Sequence, residues 1–110
     1  MIDDTLKQME ARLQQAEAIK PENREELMAL LGTLKGEIAE LSRTHADEAA
    51  SIAGYAAVSA HEATRGEKNP ELLDHSLKGL EASVDGFKQS HPRLVQIVNS
   101  VCTALSNLGI

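Results

Sequence analysis

Histidines and carboxylates are the side chains of this 110-residue chain with chemistry to offer: His45, His61, His75 and His91 among 17 aspartates and glutamates. A di-metal bundle site would need Glu-x-x-His pairs on facing helices, and that spacing does not occur. His45 and Glu48 run in the reverse order and continue a leucine seam, where they read as a wet stretch. His45 and His61 fall on nearly opposite sides of a straight helix and cannot share an ion within one chain. Across a turn at Gly66, however, His61 and Glu62 come level with Asp74 and His75. His61, Glu62 and His75 are therefore the candidate metal ligands, although His75 points away from the leucine face and a solvated pair is the plainer reading. No glycine-rich phosphate loop, serine nucleophile elbow or HExxH is present. His91 precedes Pro92 as a turn residue. The residue types therefore assign no catalytic group and call for no cofactor.

The composition narrows the partners. The formal net charge is -6 with a pI near 5.1, and without a basic stripe the chain is a poor ligand for nucleic acid or anionic membranes. Phe87 and Tyr55 are the two aromatic residues, too few for base or flavin stacking. Cys102, the single cysteine, rules out an intrachain disulfide, suits a reducing cytoplasm and reads as a small core residue beside Val101 and Ala104. The start, Met1-Ile2-Asp3-Asp4, lacks the pattern of a secretory signal. Leu94 to Ile110 is uncharged but too polar to span a bilayer, and reads as a buried helix.

Positioning falls to helices. Leu27, Leu31, Leu34, Ile38, Leu41 and His45 recur at alternating steps of four and three, which lays one stripe along a helix. Ile2, Leu6, Met9, Leu13 and Ala16 keep that rhythm upstream, as do Leu73, Leu77, Leu80, Val84 and Phe87 downstream. The chain is predicted to be a single all-α domain over 1–110, a coiled-coil-like bundle of four helices at about 4–18, 23–65, 70–89 and 92–108. Asp3 or Asp4 caps the first, and Asn23 with Glu26 has capping-box spacing for the second. Asn69-Pro70-Glu71 opens the third and Ser90-His91-Pro92 the fourth. Gly109, with Ile110 folding back on Leu105, closes the last.

A continuous helix over 23–65 would be about 65 Å long and would be covered piecewise by antiparallel hairpins. The first helix sets Leu13, Met9, Leu6 and Ile2 against Leu27, Leu31, Leu34 and Ile38. The third sets Leu73, Leu77, Leu80, Val84 and Phe87 against Ala63, Ser59, Ala56, Ile52 and Ala49, so that bulky faces small and the helices approach closely. The leaf formed by the first two helices is left with an open face. On it lies a second row, Ala29, Gly32, Gly36 and Ala39, whose two glycines each cost about 1 kcal/mol in a helix. A homodimer through this row would account for them. A break at Ser42-Arg43-Thr44-His45 is the competing possibility, and it would fold the leaf back into a compact monomer.

The run from Val84 to Ile110, with Phe87, Ser90-His91-Pro92, Leu94 and the ending Ala104-Leu105-Ser106-Asn107-Leu108-Gly109-Ile110, resembles the end of a bacterial family of small helical proteins, domain of unknown function 4404. The likeness extends more weakly to the first helix and to Pro21 through Leu41, leaving out the alanine-rich stretch from Ala46 to Ala63. It implies a bacterial origin and a soluble helical fold, and brings no catalytic residues. The expected function is that of a non-enzymatic, cytoplasmic, self-associating module that offers a helical surface to a protein partner. The alternative is a ligand- or metal-binding bundle using His61, Glu62 and His75.

Overall fold

In the computed structural model of the chain, residues 2–16 and 19–108 are described, with side chains from Asp4 onward. Among the described residues five α-helices follow one another: α1 (Ile2–Gln15), α2 (Pro21–Ser42), α3 (Ala46–Thr64), α4 (Pro70–Ser83) and α5 (Pro92–Leu108), with a 3-10 turn at Asp85–Phe87 between the last two. The described residues contain no strand. The all-α expectation holds, while the four-helix arrangement around one long helix does not.

The expected helix over 23–65 is broken between Ser42 and Ala46. Near the break the chain's hydroxyls turn back on its own carbonyls: Ser42 Oγ donates to Ala39 O at 2.7 Å and Thr44 Oγ1 to Leu41 O at 3.5 Å. Such local bonds compete with helix continuation. The N–H groups of Arg43 and Thr44 reach back three residues, to Glu40 and Leu41, which tightens the last turn. Burial decides the matter. Running straight would retain three more backbone bonds, worth about 0.5–1.5 kcal/mol each. Folding back instead buries flanks of apolar side chains worth about 1.5–3 kcal/mol apiece. A helix of the predicted length could not fit within the observed extents of 37 × 24 × 22 Å.

The fold-back also covers the α1–α2 leaf. α1 packs more extensively on α3 than on α2, and α2 lies against both α5 and α3. Leu6, Leu13, Leu27, Leu31, Leu34, Ile38 and Leu41 accordingly share one core with Ile52, Leu80, Leu94 and Leu105, all below 2 % exposed. An uncovered leaf, the first argument for a dimer, is therefore absent from this fold. α3 and α4 form the most extensive pair. Ala49, Ile52, Ala56, Ser59 and Ala63 are buried on one side, with Leu73, Leu77, Leu80 and Val84 on the other, as the large-against-small pattern requires.

Helix starts follow local chemistry with revisions at α1 and α2. Pro21, rather than Asn23, opens α2, because a preset φ and a missing N–H suit the first helical position. Arg24 then ties the preceding loop by donating to Ala16 O and, at 3.3 Å, to Ile19 O. Asn69 caps α4 as expected, its Oδ1 accepting from Leu72 N at 3.2 Å. α4 stops at Ser83, short of Gln89, and Phe87 sits half-buried in the 3-10 turn instead of on a helix facing Ala49. Asp4 lies inside α1. Asp3 lies inside it as well, so neither aspartate caps it, and α1 ends at Gln15 with Ala16 already outside the helix, short of the expected Ala18. The Ile2 seam position and the Gly109–Ile110 closure lie outside the described residues.

Candidate functional site

The predicted interface row lies where its periodicity puts it. Ala29, Gly32, Gly36 and Ala39 are all exposed on the outer side of α2, away from the buried Leu27, Leu31, Leu34 and Ile38. A Cβ built at Gly32 or Gly36 would meet nothing within 4 Å. Among the described residues no contact inside the chain therefore explains the two glycines.

The candidate metal ligands do not come together. Arg12, on α1, donates from Nη1 to His61 Nδ1 at 2.8 Å. A guanidinium only donates, so Nδ1 accepts and the ring proton sits on Nε2, 3.9 Å from Glu62 Oε2. Glu62 is buried, 8 % exposed, and its other oxygen accepts from Arg65 Nη1 at 2.9 Å. Two arginines therefore flank the place where a cation would have to sit. His75 stands apart and exposed, 3.9 Å from Glu71, while Asp74 pairs with Lys78 at 2.9 Å. Among the described residues no group of three His, Cys, Asp or Glu is placed to hold a metal. The arrangement joins α1 to α3 with a charge-assisted hydrogen bond, and His75 is exposed to solvent on α4.

Periodicity gave no sign of a third cluster. His45, Phe87 and His91 meet edge to face at one end of the bundle, with ring centroids 5.4 Å (His45–Phe87), 5.5 Å (Phe87–His91) and 6.1 Å (His45–His91) apart. Thr44 Oγ1 and His45 Nδ1 are hydrogen-bonded at 2.8 Å, as are Ser90 Oγ and His91 Nδ1 at 2.9 Å. Each histidine immediately precedes a helix, α3 or α5, and Phe87 packs against both. The repeated hydroxyl-histidine pairs, Thr44-His45 and Ser90-His91, were the available sequence signal. The cluster joins the α2–α3 turn to the α4–α5 turn. Among the described residues no third His, Cys, Asp or Glu joins the two histidines to make a metal site.

Cys102 is buried. Its Sγ lies 3.9 Å from Leu77 O as a weak donor. Burial, followed by the charge of Glu81, pushes the thiol up to about 12, which keeps it protonated and unreactive at neutral pH. It sits beneath a groove of about 490 Å³ between α4 and α5, whose rim includes Asp74, Lys78, Glu81, Asn99 and Thr103. Neither of the buried polar atoms left without a partner among the described residues, Arg24 Nε and Ser59 Oγ, faces this groove. None of the described helices is long and apolar enough to cross a membrane.

The family described as Domain of unknown function (DUF4404) matches residues 2–110. The chain belongs to the DUF4404 family. The match spans the alanine-rich stretch from Ala46 to Ala63, which forms most of α3. No curated protein and no solved structure matches the chain.

Proposed function

We propose that this DUF4404 chain is a non-enzymatic helical module that associates with a second copy of itself and presents a helical surface to a protein partner. The observation that carries the reading is the open, outward placement of Gly32 and Gly36 between Ala29 and Ala39. Each glycine costs about 1 kcal/mol against alanine in a helix interior. A helix of another molecule, laid close along the row, would convert that cost into contact. The acidic charge and scarcity of aromatic rings support a protein partner over nucleic acid, and the buried, protonated Cys102 is at home in a reducing cytoplasm.

The metal-binding alternative is disfavoured by Arg12 and Arg65 at His61 and Glu62. Sedimentation equilibrium at micromolar concentration tests the proposal. The parent is expected to sediment as a dimer and Gly36→Leu to shift it toward monomer, because the larger side chain forces the helices apart. A monomer mass for the parent sinks the dimer.

A further inference from the structure

α2, α4 and α5 open on Pro21, Pro70 and Pro92, which are the chain's three prolines. A proline at the first helical position prevents a preceding helix from running through it, since it has no N–H to donate and its ring clashes with the carbonyl four residues back. α3 lacks this block. It opens on Ala46 behind His45, whose side chain makes no capping bond. Ser42-Arg43-Thr44-His45 contains neither glycine nor proline. Arg43 is already helical at φ -66°, ψ -29°, and His45 N still donates to Leu41 O, one helical turn back, at 2.8 Å. The path leaves the helix at His45, with φ -133° and ψ 64°.

The apolar phase crosses this turn unbroken. Ile38, Leu41, His45, Ala49, Ile52 and Ala56 follow at steps of three and four, and all but His45 are buried. On a straight helix the same residues would form one stripe. We propose that the α2–α3 turn is a hinge through which two copies of this chain exchange their α1–α2 arms, each arm packing on α3 and α5 of the other copy. The closed bundle buries the arm but forgoes the bonds that a continuous helix makes from the N–H groups of Ala46, Asp47 and Glu48 to the carbonyls of Ser42, Arg43 and Thr44. The exchanged dimer has both. An arm cannot open alone, because Leu6, Leu13, Leu27, Leu34 and Ile38 would face water. Only a second copy presents the surface that the arm already fits. This inference shares with the proposed function only the identity of the partner, and it does not use the glycine row.

The test is refolding from denaturant at low and high protein concentration, followed by size-exclusion chromatography with light scattering. The exchanged dimer is expected to grow with refolding concentration and to revert slowly on dilution. In a Thr33→Cys, Val58→Cys chain, spin-labelled and refolded with excess unlabelled protein, the dimer should show a label separation of about 38 Å, the rise of a continuous helix between those positions. Ala46→Pro gives α3 the block that the other turns have, at an exposed position, and should lower the dimer at least tenfold while the monomer keeps its helical content. If Ala46→Pro does not fold, a Gly-Gly insertion after Thr44 opposes the straight helix in its place. The proposal is overturned by a dimer that persists in these variants, by a dimer without the long separation, or by the absence of dimer in both the parent and His45→Ala. A dimer lost in Gly36→Leu and kept in Ala46→Pro assigns association to the glycine row and overturns the exchange; the opposite pattern supports the exchange over the row.

Discussion

The ring of Tyr55 lies directly over Gly79, so that a Cβ added there would stand 2.6 Å from Tyr55 Cδ1. Glycine in the interior of α4 costs about 1 kcal/mol against alanine, and here its missing side chain lets a half-exposed aromatic from α3 cover the α4 backbone. The two residues should therefore be energetically coupled. Gly79→Ala is expected to be neutral or destabilising in the parent and to stabilise by about 1 kcal/mol in a Tyr55→Ala background. Urea denaturation of the four chains measures the coupling, and additive effects would contradict the contact.

Ser59, on α3, is fully buried, and its Oγ has no hydrogen-bond partner among the described residues. A buried hydroxyl without a partner costs about 1–3 kcal/mol. Ser59→Ala should therefore raise stability by roughly 1 kcal/mol, visible as a higher denaturation midpoint at unchanged slope. Ala56→Leu, one turn earlier on the same face and at 0 % exposure, should lower stability by about 1–3 kcal/mol because the helix contact leaves no room for the added carbons.

Phe87 is half-buried against His45 and His91, so its loss should weaken one end of the bundle rather than the whole core. Phe87→Ala is expected to cost about 1–2 kcal/mol, below the 3–5 kcal/mol typical of a fully buried phenylalanine. Hydrogen exchange should report faster opening around the α2–α3 and α4–α5 turns. A loss of protection spread evenly over all five helices would contradict that placement.

Cys102 links stability to alkaline pH. Burial raises its thiol from 9.0 to about 12, so in the unfolded chain the proton leaves first. Stability is unaffected below about pH 9 and falls as pH rises from there toward about 12, because the unfolded state alone gains the thiolate. Between pH 8 and 10.5 the parent should lose about 1–2 kcal/mol more than Cys102→Ala. At pH 8 a thiol reagent should label the native chain far more slowly than the chain in urea.

Gly32→Ala and Gly36→Ala separate monomer stability from association. A Cβ at either position meets open space, so each change should stabilise the monomer by about 1 kcal/mol through helix propensity. If the row is an interface, the same changes should weaken the dimer. Thermal melts at low concentration and sedimentation at high concentration read the two effects independently.

The face that α2 buries was legible in the sequence, because the stripe Leu27, Leu31, Leu34, Ile38 and Leu41 depends only on the period of the helix. Asn69 as the cap of α4 and Pro70 and Pro92 as helix openings were legible too, since those effects act within a single turn. The break at Arg43–His45 was legible only as the competing possibility, not as the outcome. The apolar phase is the same in a bent and a straight chain, and no glycine or proline marks the turn. The choice rests on whether the flanks of α1 and α2 are covered by α3 and α5, a burial term that no local window contains. The meeting of Arg12 with His61 follows from that fold-back, while those of Tyr55 with Gly79 and of His45 with Phe87 and His91 follow from how α3, α4 and the turn before α5 pack. Each joins residues distant in sequence, whose encounter depends on the angles at which whole helices pack.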